Sequence, residues 1–295
     1  MLAWLLRGLL LGQALALTGL FYTYLGFGWV AGAAASVLAF LVLQGLVLAL
    51  AYVVSQLYAS PRPPGIGPLT GAAIFQEYCG FLAFFSAIQP FERLFMGPDA
   101  VGRLPTGQRP VLLVHGYMCN RGYWWWFRSA LRARGHAVAT ISLETPFTDI
   151  EEMAQQLDRR IESLIEETGA DMVLLVTHSM GGLVARTYLR RFGSSRIARF
   201  ITLGGPHQGT VVATFGLGRN ARQMEPDNDW LAELNRNWSP PVPTLSVWST
   251  GDQIIAPQDS SRLPHTAERV FPAIGHLALA IEPDVFEAVA SELAS

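Results

Sequence analysis

Apolar residues run almost without interruption through the first sixty positions of the chain. Arg7 is the only charged side chain there, and a glycine-containing break at residues 26–28 divides the run into apolar stretches over residues 8–25 and 29–58. A helix that spans a bilayer needs about 20 apolar residues. The pattern therefore predicts a transmembrane helical hairpin, a two-helix anchor over residues 1–60.

A cleavable secretory signal peptide is the alternative to this anchor, with Ala33-x-Ala35 as its cleavage site. Its apolar core would be about 25 residues long, whereas such cores usually have about 7–15 residues. The length therefore favours the anchor. Arg7 precedes the first helix and Arg62 follows the second, so the positive-inside rule places both ends, and the chain beyond them, in the cytoplasm.

Residues 61–108 have a different composition and are predicted to be a linker followed by an aromatic helical segment. The linker is rich in proline, and residues 72–96 carry seven aromatic side chains, several of them at helical spacing. Such a helix either lies among the lipid headgroups or packs on the domain that follows. An interfacial helix typically carries Lys and Arg on its polar face. This segment has only Arg93, which favours packing.

From residue 109 to residue 295, short apolar runs alternate with helical patterns. Strands are predicted over residues 110–114, 137–143, 172–176, 200–203, 244–248 and 270–273, and helices over residues 124–134, 150–167, 183–191 and 283–293. Thr148 is the predicted N-cap of the second of these helices. Strands that alternate with helices predict right-handed crossovers and a mostly parallel sheet flanked by helices, which is an α/β domain.

Charge and cysteine content narrow the classes of function. The formal net charge is −2, whereas a nucleic-acid-binding protein would show a basic surface. The sequence shows no zinc-like Cys/His spacing. Cys79 and Cys119 are too few and too far apart to define a disulfide framework, so they leave the redox compartment undecided.

Candidate chemistry centres on the stretch M-V-L-L-V-T-H-S-M-G-G at residues 172–182. A buried strand, an abrupt serine and a helix follow one another, as in a G-x-S-x-G nucleophile elbow, where the serine hydroxyl stands clear of the backbone. Thr177 takes the place of the first glycine of that motif. The alternative is that Ser179 is only the N-cap residue of the helix.

Four segments together resemble the α/β-hydrolases of the lipase and esterase kind. They read V-L-L-V-H-G-Y, T-H-S-M-G-G, I-T-L-G-G-P-H-Q-G-T and, near the end, S-T-G-D ahead of G-H. The resemblance covers residues 109–295, about two-thirds of the chain, and leaves the N-terminal hairpin outside the common core of the family. It implies an α/β-hydrolase fold and a serine hydrolase that needs no metal or organic cofactor.

The resemblance also implies a triad in the chain order Ser, acid, His. Ser179 is then the nucleophile, and His276 is the base because it follows the last predicted strand. Asp252, directly after the strand at residues 244–248, is the acid that orients the imidazole, and Asp259 is the runner-up. The poorer candidates for the base are His136, His178, His207 and His265; for the acid they are Asp227 and Asp229. We expect His207 to shape the wall of the site.

An ester hydrolase also needs donors for the oxyanion, and two backbone N–H groups are candidates. They belong to Met180, directly after the nucleophile, and to Tyr117, in the turn after the first strand. Gly116 lets that turn point its amide inward, and Gly181 relieves crowding at the elbow. His115 either orients the turn by side-chain hydrogen bonds or is a simple residue at the end of a strand.

Two further features concern the substrate. The five consecutive aromatic residues 123–127 cannot all face one core, so either some line an acyl pocket or touch lipid, or they divide between core and surface. Residues 207–243 form a longer excursion than a plain crossover requires. We expect them to form a cap-like insertion over the site.

The sequence thus predicts a membrane-anchored serine hydrolase that cleaves carboxylic esters of lipophilic or lipid substrates through an acyl-enzyme. An acyltransferase or a thioesterase would use the same triad. A non-catalytic interaction module is disfavoured because every catalytic role has a candidate residue. The expected partners are a lipophilic acyl ester and membrane lipid, with no nucleic acid, and the sequence names no protein partner.

Overall fold

The computed structural model describes residues 1–294 of the chain. It begins with two long helices, α1 (Leu2–Thr18), which continues as a π-helical segment (Gly19–Tyr24), and α2 (Trp29–Leu57). Gln44 Nε2 donates to Gln13 Oε1 across the pair at 3.4 Å. The two helices therefore form the predicted hairpin, with its turn at residues 25–28.

Both ends of the hairpin contact the rest of the protein. The N-terminal ammonium of Met1 lies 2.7 Å from Glu144 Oε2, and Arg7 Nε donates to the carbonyl of Pro90 at 2.7 Å. At the other end, the N–H of Ser60 donates to Gln258 Oε1 at 3.2 Å. The turn is consequently the distal end of the hairpin.

Within residues 1–294, three helices are long and apolar enough to cross a membrane: Leu2–Tyr24, Trp29–Leu57 and Gly71–Ile88. The first two expose large apolar side chains, with Leu15 65 % and Leu38 63 % accessible. Such surfaces are unfavourable in water and match the interior of a bilayer. The third helix lies in the aromatic segment, where the sequence left an interfacial and a packed helix open.

That third helix, α3 (Gly71–Ala83), continues as a π-helical segment (Phe84–Ile88) and is followed by α4 (Glu92–Met96). It lies between the hairpin and the α/β domain. The hydroxyl of Tyr78 donates to the carbonyl of Leu41 on α2 at 2.8 Å, and the ring of Phe84 lies 5.2 Å from that of Tyr123 in the domain. The helix is thus packed on the domain.

The α/β domain contains one sheet of six parallel strands in the order β2-β1-β3-β4-β5-β6. The strands are β1 (Val111–Val114), β2 (Val138–Ile141), β3 (Val173–His178), β4 (Ile197–Leu203), β5 (Thr244–Ser249) and β6 (Ala267–Phe271). All six overlap the predicted strands, and the mostly parallel sheet is as predicted.

Helices cover both faces of this sheet. They are α5 (Trp125–Ala133), α6 (Ile150–Thr168), α7 (Met180–Phe192), α8 (Arg219–Gln223), α9 (Asp229–Asn235) and α10 (Pro283–Ala294). Alternate residues of β1 enter two separate apolar cores: Leu112 and Val114 pack with residues of α6 and α7, and Val111 and Leu113 with residues of α5 and α10. A strand buried on both faces explains the continuous apolar runs in the sequence.

Two local predictions are wrong. Arg7 lies within α1 rather than before the first helix. Helix α6 starts at Ile150, so its N-cap is Asp149, whose carboxylate accepts the N–H of Glu152 at 2.8 Å. Thr148 lies one residue too early to cap the helix, and its hydroxyl instead donates to the Glu152 side chain.

Candidate active site

Ser179 lies on the sharp turn between β3 and α7. Its backbone has φ 56° and ψ −129°, a conformation that residues other than glycine rarely adopt and that recurs at functional sites. Its side chain makes no capping hydrogen bond to the helix. Ser179 therefore occupies the N-cap position of α7 without capping the helix through its side chain, and its buried hydroxyl remains available for other partners.

The loop after β1 passes very close to this turn, and two glycines make the approach possible. A Cβ on Gly116 would lie 2.6 Å from Ser179 Cβ, and a Cβ on Gly181 would lie 2.7 Å from the carbonyl oxygen of His115. Both distances are shorter than real side chains allow. Thr177 fits in place of the first motif glycine because it is buried within β3, where its hydroxyl donates to the carbonyl of Ile201 on β4 at 3.3 Å.

Asp252 and His276 come together at the same edge of the sheet, after β5 and β6. Nδ1 of His276 lies 2.7 Å from Asp252 Oδ2, and both side chains are buried. The other carboxylate oxygen, Oδ1, accepts the backbone N–H groups of Ile254 and Ile255, each at 2.8 Å. A carboxylate held in this way fixes the imidazole with Nδ1 protonated, which leaves Nε2 free to act as a base.

Ser179 and His276 line one cavity, although no hydrogen bond joins Ser179 Oγ to His276 among residues 1–294. Catalytic hydrogen bonds are often long before substrate binds and tighten in the complex. Asp259, the runner-up for the acid, lies in the 3₁₀ turn Gln258–Ser261, where its N–H donates to Ser60 Oγ at 3.2 Å. The geometry thus brings together Ser179, Asp252 and His276.

The two predicted oxyanion donors lie next to the serine. Met180 begins α7, so its N–H has no carbonyl partner within the helix. Tyr117 directly follows Gly116, whose close approach to Ser179 places the loop against the hydroxyl. Neither N–H donates to another residue in the part of the chain that the structure describes. Both amides are therefore free to bind a developing oxyanion.

His115 stabilises the loop after β1 through two hydrogen bonds of its ring. The N–H of Leu143 donates to its Nε2 at 2.9 Å, so the ring proton is on Nδ1, which donates to the carbonyl of Gly116 at 2.9 Å. Burial lowers the pKa of His115 to about 4, and the ring is consequently neutral near pH 7. These hydrogen bonds favour an orienting role for His115 over that of a simple residue at a strand end.

Two of the poorer candidate bases are buried and contact groups other than the serine hydroxyl. His178 donates from Nε2 to the backbone carbonyl of His276 at 3.0 Å and stacks on the ring of Tyr123 at 4.3 Å. His207 contacts Thr202 Oγ1 through Nε2 at 3.2 Å, within the core. Burial lowers the pKa of both rings well below the usual value. His207 lines neither cavity at Ser179, so the expectation that it shapes the wall is not met.

Two apolar cavities meet at Ser179. The first, which we call the anchor-side cavity, has a volume of about 200 Å³ and is lined by Leu48 and Ala51 of α2, Phe81 and Phe85 of the third helix, and His276. The second, the cap-side cavity, has a volume of about 250 Å³ and is walled mainly by residues 206–224. The predicted cap-like excursion therefore borders the site, with α8 among its short helices.

A larger cavity of about 640 Å³ contains none of the predicted site residues. It is lined by charged side chains, and Arg121 and Arg160 on its wall both pair with Asp99. Asp99 also pairs with Arg128, so these ion pairs hold the arginines in the fold but one carboxylate does not neutralise all three. No group of three or more His, Cys, Asp or Glu side chains within residues 1–294 could hold a metal ion.

The chain is similar to known lipases and thioesterases. Residues 110–241 match the model of the palmitoyl protein thioesterase family. Triacylglycerol lipases of Pseudarthrobacter phenanthrenivorans and Burkholderia plantarii are each 32 % identical over 114 residues, which are 36 % of this chain and 35 % and 32 % of theirs. The chain thus spans about a third of the length of these relatives.

Solved structures extend the similarity to about two-thirds of this chain. Lipase B of Aspergillus fumigatus matches with a TM-score of 0.60 at 18 % identity, covering 67 % of this chain and 55 % of that one. The mature lipase BlEst2 of Bacillus licheniformis matches with a TM-score of 0.58 at 16 % identity, covering 66 % and 96 %. The domain has the α/β-hydrolase fold. Both the predicted fold and the predicted resemblance to lipases and esterases are confirmed.

In this fold the run of aromatic residues 123–127 mostly enters the core. Tyr123, Trp124 and Phe127 are fully buried, and Trp125 packs edge-on against Phe95. None of the five lines either cavity at Ser179. The aromatic lining of the anchor-side cavity comes instead from Phe81 and Phe85 of the third helix. The catalytic motifs did not indicate that these two residues line the site.

Sequence reasoning missed two residues that hold the loop of His276. Gln253 accepts the N–H of His276 through Oε1 at 3.0 Å, and its Nε2 donates to Glu77 Oε1 at 2.6 Å. Glu77 belongs to α3 and is fully buried. One signal could have revealed it: Glu77 is the only charged residue between Arg62 and Glu92. A lone ionisable group in an apolar helix is by default a functional candidate.

Proposed function

We propose that the protein is a membrane-anchored serine hydrolase that cleaves carboxylic esters of lipophilic substrates through an acyl-enzyme. The observation that carries this proposal is that His276, paired with the buried Asp252, lines the same apolar cavity as Ser179. An apolar cavity at the nucleophile selects hydrocarbon substituents, because their transfer from water is favourable.

In the proposed mechanism Ser179 Oγ attacks the ester carbonyl while His276 Nε2 takes its proton. Asp252 holds the imidazole and stabilises the imidazolium that forms. The N–H groups of Tyr117 and Met180 bind the oxyanion of the tetrahedral intermediate. The C–O bond then breaks, and His276 returns the proton to the departing alcohol. Water, deprotonated by His276, attacks the acyl-enzyme and releases the acid.

The N-terminal hairpin is the proposed anchor. Its two ends both contact the hydrolase domain, and its exposed side chains are almost entirely apolar. Arg7 lies near the start of the first span and Arg62 follows the second, both at the domain end of the hairpin, which supports a cytoplasmic hydrolase. A phosphatase fused to the C-terminus tests the side: we expect no phosphatase activity on the opposite face of the membrane, and strong activity there would contradict the orientation.

Thioesterase activity is the second candidate, favoured by the match to the palmitoyl protein thioesterase family. It would use the same acyl-enzyme and differ only in the leaving group, a thiol in place of an alcohol. Parallel assays with an acyl-thioester and the oxygen ester of the same acid distinguish the two activities through their ratio of kcat/KM.

The direct test uses the full chain, purified in detergent, with p-nitrophenyl esters of graded chain length. We expect hydrolysis that Ser179→Ala abolishes, together with covalent labelling by a fluorophosphonate that the same substitution prevents. Ser194→Ala, in the turn before β4, is a control that should retain both. Hydrolysis that survives in Ser179→Ala would falsify the mechanism.

A further inference from the structure

The anchor-side cavity is built partly from a candidate membrane span. Helix α2 contributes Val47, Leu48 and Ala51 to its wall, and the third helix contributes Phe81 and Phe85. The opposite wall includes Ser179 and His276. A substrate group in this cavity would therefore touch the anchor on one side and the catalytic residues on the other.

The position of this wall along α2 places the cavity near the membrane boundary. Helix α2 has 29 residues and is thus about 44 Å long, whereas the hydrocarbon core of a bilayer is about 30 Å thick. Counted from the distal turn, about 20 residues fill that core, so the core ends close to Leu48. Arg7 on α1, bonded to Pro90 at the domain end, marks the same boundary.

His276 lines the anchor-side cavity but not the cap-side cavity, whereas Ser179 lines both. The residue that donates a proton to the leaving oxygen must contact that oxygen. The leaving alcohol is therefore expected on the anchor side, and the acyl chain in the cap-side cavity. This division would let the larger, membrane-resident part of a lipid ester remain next to α2.

We propose that the anchor-side cavity is a binding site for the aliphatic alcohol half of an ester that is still embedded in the bilayer. The substrate class is an ester whose leaving alcohol carries a hydrocarbon chain. The chain lies between Leu48 and Ala51 on α2 and the phenyl rings of Phe81 and Phe85. This inference rests on the proposed serine hydrolase and deepens it, since it assigns each half of the substrate to a cavity.

Ala51→Phe tests the site by filling the cavity. We expect the ratio of kcat/KM for dodecyl acetate to that for ethyl acetate to fall at least tenfold, while the ratio of p-nitrophenyl laurate to p-nitrophenyl acetate stays within twofold. Leu50→Phe is the matched control, because Leu50 is its neighbour on α2 and is 64 % exposed. It should change neither ratio.

The outcomes are separable from failure of the hydrolase itself, which would appear as no hydrolysis of any ester by the unmodified chain. An unchanged alcohol ratio in Ala51→Phe would overturn the site. A change confined to the acyl ratio would overturn the assignment of the two halves. If Ala51→Phe does not fold, Leu48→Ala, which widens the same cavity, should raise the alcohol ratio, and no rise would overturn the proposal.

A separate observation concerns Glu77, the buried carboxylate of α3. Its Oε1 accepts Gln253 Nε2 at 2.6 Å and the N–H of Leu277 at 2.8 Å, and its Oε2 accepts the N–H of Ala278 at 2.9 Å. All three donors flank His276 in the fold. Helix α3, next to the anchor, thus holds the loop that carries His276, the predicted base, through these three hydrogen bonds.

Burying a carboxylate lowers the stability of the folded state unless hydrogen bonds satisfy its oxygens. The three groups that donate to Glu77 all belong to the hydrolase domain. Gln253 links Glu77 to His276, because its Oε1 accepts the N–H of His276 at 3.0 Å. We infer that Glu77 is a positioning residue: it sets the placement of His276 according to how α3 is docked. Asp252 orients the ring, whereas Glu77 orients the backbone beneath it.

Glu77→Gln keeps the size of the side chain but turns one acceptor into a donor that opposes the backbone N–H groups. We expect kcat to fall roughly 10- to 100-fold with KM within twofold, because hydrogen bonds to a charged group are lost. The rate of fluorophosphonate labelling of Ser179 should fall in parallel, since it also depends on His276. Glu77→Asp, which retains the charge, should restore part of the loss.

Gln76→Ala is the matched control. Gln76 is exposed, and it also ties α3 to the domain, through a hydrogen bond from Nε2 to Glu282 Oε2 at 2.8 Å, but it does not contact the His276 loop. An equal loss of kcat in Gln76→Ala would show that α3 acts only as a general support. A Glu77→Gln protein with lowered thermal stability but unchanged kcat would likewise overturn the positioning role.

Discussion

The N-terminal hairpin (residues 1–60) and the hydrolase half (residues 109–294) have surfaces suited to different solvents. Residues 1–60 carry one charge and turn apolar side chains outward, such as Trp4 at 73 % exposure. Within residues 109–294 the large apolar side chains are mostly buried, and only Trp125, Phe215 and Leu217 are strongly exposed. The hydrolase half therefore has a surface suited to water, whereas the hairpin has a surface suited to a hydrocarbon solvent.

The site lies where these halves meet, and each contributes a different part of it. Ser179, Asp252 and His276 all follow strands of the hydrolase sheet, whereas α2 and the third helix supply the far wall of the anchor-side cavity. We infer that the hydrolase half provides the chemistry and the anchor half provides access for the substrate. The predictions below test this division of roles.

The largest expected effect is confined to the hydrolase half. Asp252→Asn should lower kcat about 10⁴-fold, because the amide no longer selects the tautomer that leaves His276 Nε2 free. The measurement is kcat for p-nitrophenyl butyrate, alongside the fraction of protein recovered in membranes, which should not change. Asp259→Asn should retain activity within a fewfold. The reverse ranking would make Asp259 the acid.

A smaller loss is expected at the oxyanion loop. In Gly116→Ala the new methyl group would lie 2.6 Å from Ser179 Cβ, so the loop must move and carry the Tyr117 amide away. The loss of one oxyanion donor costs about 10²- to 10³-fold in kcat. Gly102→Ala is the control, because nothing lies within 4 Å of the added methyl there. Gly116→Ala with kcat near that of the unmodified chain would contradict the assignment of Tyr117.

The pH dependence of stability should also arise in the hydrolase half. Burial lowers the pKa of His115 from 6.5 to about 4, so the unfolded state binds a proton that the folded state excludes. Stability is therefore full above pH 6.5 and falls as the pH decreases toward 4. Between pH 6.5 and 5 this residue alone should cost about 2 kcal/mol of unfolding free energy, and His178 and His207 act with the same sign.

Urea unfolding followed by tryptophan fluorescence in detergent measures this loss. Residues 1–60 contain no histidine and no acidic residue, so helicity that resists urea in the hairpin should not vary over the same pH range. A stability that stays constant from pH 6.5 to 5 would contradict the burial of three neutral histidines.

The sheet and the edge that carries the candidate site could be predicted because they depend on local rules. Strands buried on both faces produce continuous apolar runs, and the chain order of Ser179, Asp252 and His276 follows from the order of the strands that carry them. The boundaries differ by a few residues where hydrogen bonding, rather than pattern, decides them, as at β4, which begins at Ile197 instead of residue 200.

What the sequence could not reveal are contacts between segments far apart in the chain. Glu77 meets the N–H of Ala278 some two hundred positions away, and no periodicity encodes such a meeting. The aromatic run at residues 123–127 and the aromatic pair Phe81 and Phe85 have similar composition, yet only the pair reaches the cavity at Ser179. Composition could not decide between them, because packing direction depends on the tertiary fold.

The smallest expected effect tests the exposed tip of the hydrolase half. Leu217 is 68 % exposed beside Phe215 at 74 %, and its backbone bonds to the Tyr117 hydroxyl near the mouth of the cap-side cavity. If this tip touches the bilayer, Leu217→Asp should lower hydrolysis of vesicle-embedded esters severalfold, because a carboxylate resists entry into the interface. Hydrolysis of a soluble short-chain ester should be unchanged. Ala232→Asp, an exposed position on α9, is the control, and equal losses in both variants would show that the tip does not face lipid.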